Sequence, residues 1–408
     1  MAVEQAPAGS RRTARIVRWA VLGSVLALIT VLGYLHQRMG VGKPVGVDAL
    51  CPFGGLETLG TLLSSGTLVK RIALSSVLLL GAAVATALVF RRAFCGRICP
   101  LGYLQELFGG LGKRVFGRRF IMPTALDRPA RFMKYLVLVV VLVGTWTSAS
   151  LIIRPYDPWA AYQHISSAEL LTEFGVGFAV LAVSLAASLL YDRFFCKYLC
   201  PMGAFLGLIS RFSLFKVRRN ASTCIDCKAC DKACPTNVIV STADVVHNPE
   251  CIDCGECVAA CPVKDTLSVS AGAHALGPVQ AGAFAVGTFA LLVGGATAAG
   301  QFQWTMPTLA DQLQDAAGTG SGAQTFDSSL IKGSTTMTEV AEATGIPASV
   351  FTDVYGVPAS EQGEQLKVLK ATYPCSPGEV RAFVDLYLTD PAAGAAYVPG
   401  THEEDEDH

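Results

Sequence analysis

The sequence predicts a mainly α, multi-pass membrane protein with four to five transmembrane helices, a parallel internal repeat, an inserted cysteine-rich domain and a small C-terminal helical module. Three observations lead there. The 408 residues are 51 % apolar and 16 % charged, with a mean hydropathy of +0.44, which lies outside soluble globular composition and argues against a purely cytosolic enzyme. Long uncharged runs recur along the first 300 residues. Twelve of the fourteen cysteines fall in four short clusters, each followed by proline, which is ligand spacing rather than a disulfide framework.

Taken in order, residues 1–18 form a basic cytoplasmic segment in which Arg11, Arg12, Arg15 and Arg18 precede the first apolar run. Without a small-residue cleavage site it reads as a retained signal anchor. The runs 19–35, 72–90, 135–153 and 174–191 are uncharged and long enough to cross a hydrocarbon core. A fifth, 281–299 within 273–300, is rich in Ala and Gly, as suits close helix packing. The segment 91–134 carries ten Lys/Arg and 191–219 carries six, against four in 38–71 and one in 154–173, so the first two are expected on the cytoplasmic side. Alternation then places residues from about 301 outside. The stretch 56–69 is apolar but too short to span, and is expected as an interfacial or re-entrant helix.

The membrane domain, 19–219, repeats itself. Residues 51–119 contain CPFGGLETLG and then RRAFCGRICPLGYLQELFG; residues 154–219 contain RPYDPWAAYQH and then YDRFFCKYLCPMGAFLGLIS. Each unit has a Pro-aromatic outer loop, one crossing and a Phe-Cys-x-x-x-Cys-Pro motif at the inner face. Both run from outside to inside, so the repeat is parallel and sets Cys95/Cys99 and Cys196/Cys200 at one depth, facing each other.

Residues 220–268 read Cys224-x-x-Cys227-x-x-Cys230-x-x-x-Cys234-Pro and Cys251-x-x-Cys254-x-x-Cys257-x-x-x-Cys261-Pro, the pattern of a bacterial two-cluster ferredoxin. Three closely spaced thiolates wrap one iron–sulfur cube while the fourth reaches the other. The expected [4Fe-4S] ligands are Cys224, Cys227, Cys230 and Cys261 for one cluster, and Cys251, Cys254, Cys257 and Cys234 for the second. Structural zinc sites rarely use three cysteines at this spacing twice over. For Cys95, Cys99, Cys196 and Cys200, four thiolates suit a further cluster, Cu(I) or a redox disulfide, against the plainer reading of small buried apolar residues.

On the outer side, His164 with Asp157, and more weakly His36 and Glu57, are candidate proton acceptors for a quinol; each alone also reads as a solvated boundary residue, and Trp159 and Tyr162 as an aromatic belt. Cys51 and Cys375 are both placed outside, with a disulfide between them unsupported. Residues 294–297 faintly resemble a flavin attachment site but lie inside a crossing, and that reading is rejected. Residues 301–330 form a Gly/Ser-rich linker to a module at 331–400 of three or four short helices, in which Thr336/Glu339 and Ser376/Glu379 are capping boxes and Gly345 and Gly356 are C-caps. Residues 301–408 hold 4 Lys/Arg against 16 Asp/Glu, whereas 1–300 hold 28 against 16, so nucleic-acid binding by this module is not expected. An acidic tail occupies 401–408.

Residues from about 45 to 265 resemble the membrane polyferredoxin family, which includes NapH-type quinol dehydrogenase subunits, NosR-type regulators and CcoG-type oxidase assembly factors. The segments FCGRICPLGYLQE and FFCKYLCPMGA and the double ferredoxin motif carry the match. The resemblance implies a membrane iron–sulfur protein that exchanges electrons between the quinone pool and a partner redox protein such as a reductase, cytochrome or ferredoxin-like subunit. The chain lacks the outer flavin domain of NosR, and its acidic helical module differs from CcoG. The competing expectations are a copper-reducing or cofactor-assembly factor using the paired membrane cysteines, and a redox sensor or scaffold without turnover.

Overall fold

The computed structural model describes residues 8–39, 44–46, 50–65, 74–148, 151–167, 169–272, 274–305, 309, 326, 328–333 and 335–400. The start of the basic segment, the connection 66–73, most of the linker and the acidic tail lie outside the described residues. The chain forms two compact units, Met1–Tyr34 with Gly46–Gln303, and Leu35–Val45 with Trp304–His408.

In the first unit the chain runs through α1 (Ala8–Arg38), α2 (Pro52–Ser65), α3 (Leu74–Phe90), α4 (Ala93–Arg97), α5 (Pro100–Phe116), α6 (Thr124–Ala130), α7 (Met133–Ser148), α8 (Pro158–Gln163), α9 (Glu169–Thr172), α10 (Gly175–Leu190), α11 (Phe194–Tyr198) and α12 (Pro201–Ile209). Three helical stretches, Arg12–Arg38, Ala125–Ser148 and the later α15 (Pro278–Ala298), are long and apolar enough to cross a bilayer. The expected crossings at 72–90 and 174–191 are the shorter apolar helices α3 and α10, of 17 and 16 residues. At 1.5 Å per residue each is roughly 25 Å long, at the short limit for a hydrocarbon core. Both helices stop at a basic turn, where Arg91 and Arg193 take left-handed backbone with φ of 58° and 54° and deliver the chain into α4 and α11. Leu136, Val139, Val140 and Val143 of α7 and Leu291 of α15 stand exposed on the helix surfaces. Such apolar faces suit lipid rather than water, and the chain is a membrane protein. The run expected at 56–69 forms α2, which packs on α3 with Leu56 buried.

Small residues set the helix spacing. A Cβ on Gly112 of α5 would lie 1.8 Å from the Leu189 carbonyl oxygen of α10, and one on Gly55 of α2 would lie 2.4 Å from the Ser76 oxygen of α3. The backbones therefore touch where a side chain would hold them apart. The two Cys-Pro steps have one local structure: Cys99 and Cys200 are the N-caps of α5 and α12, and Pro100 and Pro201 occupy first-turn positions where their missing N–H costs nothing.

The cysteine-rich insert is held by a three-stranded antiparallel sheet, β1 (Lys216–Arg219), β2 (Leu267–Ala271) and β3 (His274–Leu276), with Lys216 opposite Ser270 and Val269 opposite Leu276. Two one-turn helices, α13 (Ala229–Ala233) and α14 (Glu256–Ala260), follow the two Cys-x-x-Cys-x-x-Cys loops. Val217, Val238, Val240 and Val269 share a core with Cys230, Cys234 and Cys257.

The second unit has its own core of Ile331, Met337, Val340, Phe351, Phe383 and Val384. Among the described residues its helices number five rather than three or four: Met337–Thr344, Ala348–Tyr355, Leu366–Leu369, Pro377–Thr389 and Pro391–Ala395. Thr336 and Glu339 form a reciprocal capping box, and Gly345 and Gly356 end their helices in left-handed conformation. At Ser376 only half the box forms, because Glu379 instead accepts from the Tyr397 hydroxyl and the Gly400 N–H.

The glycine contact gives a paired test. Gly112→Ala should destabilise the purified protein by about 1–3 kcal/mol through overpacking against α10. Gly110→Ala, on the same helix with open space around it, should stabilise by up to about 1 kcal/mol through helix propensity. Thermal unfolding in detergent micelles reads both.

Candidate functional site

The two ferredoxin-like loops fold alike because their backbones bend at the same positions. Asp226 and Lys228 in the first, and Asp253 and Gly255 in the second, all have positive φ, at two and four residues past the leading cysteine. Each bend curls the chain around a cavity so that its three cysteines converge. Cys224, Cys227 and Cys230 share one cavity with Cys261, whereas Cys251, Cys254 and Cys257 share another with Cys234. The fourth thiol thus comes from the other loop in both cases, and a four-thiolate cluster fits each donor set. Burial pushes the Cys230 thiol up to about 11 and the Cys254 thiol to about 12, so filling these sites must displace protons. In the first site Cys227 is exposed; in the second Cys234 and Cys257 are buried, and Cys251 and Cys254 are half-buried.

Below the second loop sit the paired membrane cysteines. Cys99 faces Cys196 and Cys95, and Cys200 faces Cys196, Cys95 and Cys99, so the two motifs close into one quartet. Every sulfur has a donor. The Gly102 and Gly203 N–H groups point at Cys99 and Cys200, the latter at 3.3 Å. The Arg92 guanidinium reaches Cys95, and the Gln105 amide donates to Cys196 at 3.2 Å. Such a set fits anionic sulfur. Among the described residues, no group of three or more His, Cys, Asp or Glu side chains is arranged to hold a single metal ion.

Arginines cross between the two halves. Arg193 lies over Gly102 and donates to the Cys95 carbonyl at 2.7 Å, while Arg92 lies over Gly203; a Cβ on either glycine would come within 2.8 Å of the guanidinium. Arg193 and Arg92 are 0 % and 1 % exposed. Arg193 pairs with Glu106 at 2.8 Å, which also holds Arg18 at 2.6 Å, and Arg18 pairs with Glu256 together with the exposed Arg15. On the other side Glu250 pairs with Arg92 at 3.3 Å and with Lys134. With Arg15 exposed, the first flank sets two buried arginines against two carboxylates, whereas on the second flank Arg92 and Lys134 share Glu250 alone and leave one buried positive charge beside the quartet. Arg193 Nη2 and Arg92 Nε also have no hydrogen-bond partner. Buried charge of this kind is costly unless an anion lies nearby, and the four cysteines would supply one as thiolates.

The quartet abuts the second cavity. Ile252 and Cys254 pack in one apolar cluster with Cys95, Cys99 and Cys200. A Cβ on Gly96 would lie 2.1 Å from the Ile252 carbonyl oxygen, and Arg97 donates to the Asp253 carbonyl at 2.7 Å. The donors missed by sequence reasoning, Arg92, Arg193, Gly102 and Gly203, do have a signal: both repeats read Arg-x-Phe-Cys-x-x-x-Cys-Pro-x-Gly.

The outer-face candidates have local roles. Asp157 caps α8 by accepting from the Trp159 N–H at 3.0 Å, and His164, stacked on Phe174 at 4.1 Å, has Nδ1 2.8 Å from the Ala160 carbonyl. His36 Nδ1 lies 2.7 Å from the Pro44 carbonyl in the second unit. Glu57 is buried, accepts from Thr145 at 3.4 Å, and with Asp157 faces Cys51. Cys51 and Cys375 are both free thiols.

Comparison with known proteins agrees with this chemistry. A 4Fe-4S binding domain family matches twice, at 72–119 and 174–220, and a 4Fe-4S dicluster domain family matches 216–262. The putative electron transport protein YccM of Escherichia coli K12 is 36 % identical over 49 % of this chain and 57 % of its own length. The protein MJ0750 of Methanocaldococcus jannaschii is 31 % identical over 47 % of this chain and 75 % of its own length. The ferredoxin-type protein NapH of Escherichia coli K12 is 30 % identical over 42 % of this chain and 57 % of its own length. The chain thus spans little more than half of the curated relatives YccM and NapH. No solved structure matches it.

The loop bends predict opposite effects of two substitutions. Gly255→Ala should weaken the second site by about 1–2 kcal/mol through left-handed strain, and Lys228→Gly should relieve about 1 kcal/mol in the first. Iron lost to a chelator on mild heating should rise in the first variant and fall in the second.

Proposed function

Because the chain belongs to the membrane polyferredoxin family, we propose that it is a membrane-bound iron–sulfur electron-transfer protein exchanging electrons between the quinone pool and a partner redox protein. In this reading Cys224, Cys227, Cys230 and Cys261 hold one [4Fe-4S] cluster, Cys251, Cys254, Cys257 and Cys234 a second, and Cys95, Cys99, Cys196 and Cys200 a third centre. The clusters, when bound, take up and release one electron at a time. The observation that carries the reading is the chain of packing from the first site with its exposed Cys227, through the shared core of Cys230, Cys234 and Cys257, to the apolar cluster that Cys254 shares with Cys95. The excess buried cation on the Glu250 side of the quartet supports an anionic centre there.

The remaining residues hold this line in place. Arg15 and Arg18 tie α1 to Glu256 of α14, so the dicluster domain is docked by ion pairs rather than tethered. We read α1, α3, α7, α10 and α15 as five crossings, with the dicluster domain cytoplasmic and the C-terminal module outside, following the basic-residue asymmetry. At the outer side Glu57 and His164, both buried, are the groups suited to receive a proton from a quinol, with Asp157 capping the short helix that ends at His164. Oxidation of one quinol releases two protons and two electrons; the partner redox protein is the final electron acceptor, and a reversed potential order would run the same path toward quinone.

An EPR-monitored redox titration of the anaerobically purified protein tests the assignment. Wild type should hold about 12 iron atoms in three signals, and Cys95→Ala/Cys196→Ala about 8 with one signal lost. Two signals in wild type, unchanged in the double variant, overturn the membrane centre. Failure of a quinol analogue to reduce any cluster, and of a reduced cluster to reduce a quinone, overturns the quinone half.

A further inference from the structure

The four sulfurs of the quartet are not in equivalent surroundings. Cys99 and Cys200 each face the N–H of a glycine three residues on, so this pair is matched between the two repeats. Cys95 and Cys196 also occupy matching positions, yet Cys95 is served by an arginine and Cys196 by a neutral amide. Gln105 belongs to α5 of the first repeat and reaches across to the second. Its counterpart, six residues past the second cysteine of the other motif, is Leu206, a fully buried hydrocarbon.

The Gln105 amide is held in one orientation. Its Oε1 accepts from the Phe195 N–H at 3.0 Å and from the Cys196 N–H at 3.4 Å, at the start of α11. Two backbone donors on one atom identify it as the oxygen, so Nε2 is the end that faces Cys196 Sγ at 3.2 Å. Nε2 also donates to the Leu101 carbonyl at 3.3 Å, which anchors it to its own helix. The side chain is 0 % exposed, so water does not compete for the sulfur.

We infer that Gln105 is the positioning residue that sets the reduction potential of the membrane centre, through its single amide-to-sulfur hydrogen bond on the second repeat. The inference rests on the quartet holding an iron–sulfur cluster. Reduction adds one electron to the cluster and charge to its sulfurs, and a donor aimed at one sulfur stabilises the reduced form more than the oxidised form. Hydrogen bonds to sulfur therefore raise the potential. Leu206 supplies no such donor, so the matching sulfur, Cys95, has the Arg92 guanidinium in place of an amide.

The test uses the full-length protein with Gln105→Met, which keeps length and volume without a donor, and Gln105→Leu, which copies the other repeat. In an EPR redox titration both variants should retain the third signal with its midpoint moved negative. At the wild-type midpoint the ratio of reduced to oxidised centre should fall about three- to tenfold, the larger value corresponding to about 59 mV for one electron. Resonance Raman of the oxidised protein should show an Fe–S(Cys) stretch moved to higher frequency, as a donor-free thiolate binds iron more strongly. A third signal with an unmoved midpoint in both variants overturns the inference and leaves the three-centre reading standing. Loss of the third signal in both variants shows that Gln105 acts only as a structural cap of α11, and also overturns it. A wild type with no third signal overturns this inference together with the reading beneath it.

Discussion

The structure turns on the exchange of arginines between two copies of one motif. Arg92 and Arg193 each leave their own repeat, pass over a glycine of the other and end beside the other repeat's cysteine loop. Both are buried and only partly neutralised by Glu250 and Glu106. Removing either guanidinium from water is costly, and what compensates is a set of acceptors that exists only when the two halves and the dicluster domain are assembled: the Glu250 carboxylate, the Glu106 carboxylate, backbone oxygens and sulfur. Helix packing, domain docking and the redox site are thus one electrostatic problem.

This also explains the small residues. Gly102 and Gly203 admit the crossing guanidiniums, Gly96 admits the Ile252 carbonyl, and Gly112 lets α10 approach α5 until backbones touch. None of these contacts involves much apolar area. They fix distance, which an electron path requires more than stability.

Much of this was legible in the residues. The cysteine spacing led directly to three-plus-one sharing between the loops, and the paired Cys-Pro motifs led to a quartet, because ligand geometry is local and sequence spacing records it. The apolar runs marked five helices; those at 72–90 and 174–191 end within a residue of the expected place, just before Arg91 and Arg193 bend the chain, whereas the first helix begins well before its apolar run, at Ala8. The basic residues were harder. Arg91, Arg92, Arg193, Lys134 and Lys197 count toward membrane orientation as if solvated, yet all are buried. Whether a cation faces water or a carboxylate depends on partners such as Glu106 and Glu250, which stand far away in the chain or in no recognisable pattern. Likewise the chemistry of Asp157 and His164 was legible, but not that Asp157 caps the helix at 158–163 or that His164 Nδ1 meets the Ala160 carbonyl.

The close approach at Gly96 has a consequence for biogenesis. With the Ile252 carbonyl seated against it, the second ferredoxin loop is the lid of the membrane quartet. In the proposed three-centre reading, a cluster in the quartet would have to be in place before that loop seats, whereas the exposed Cys227 leaves the first site within reach of the aqueous phase.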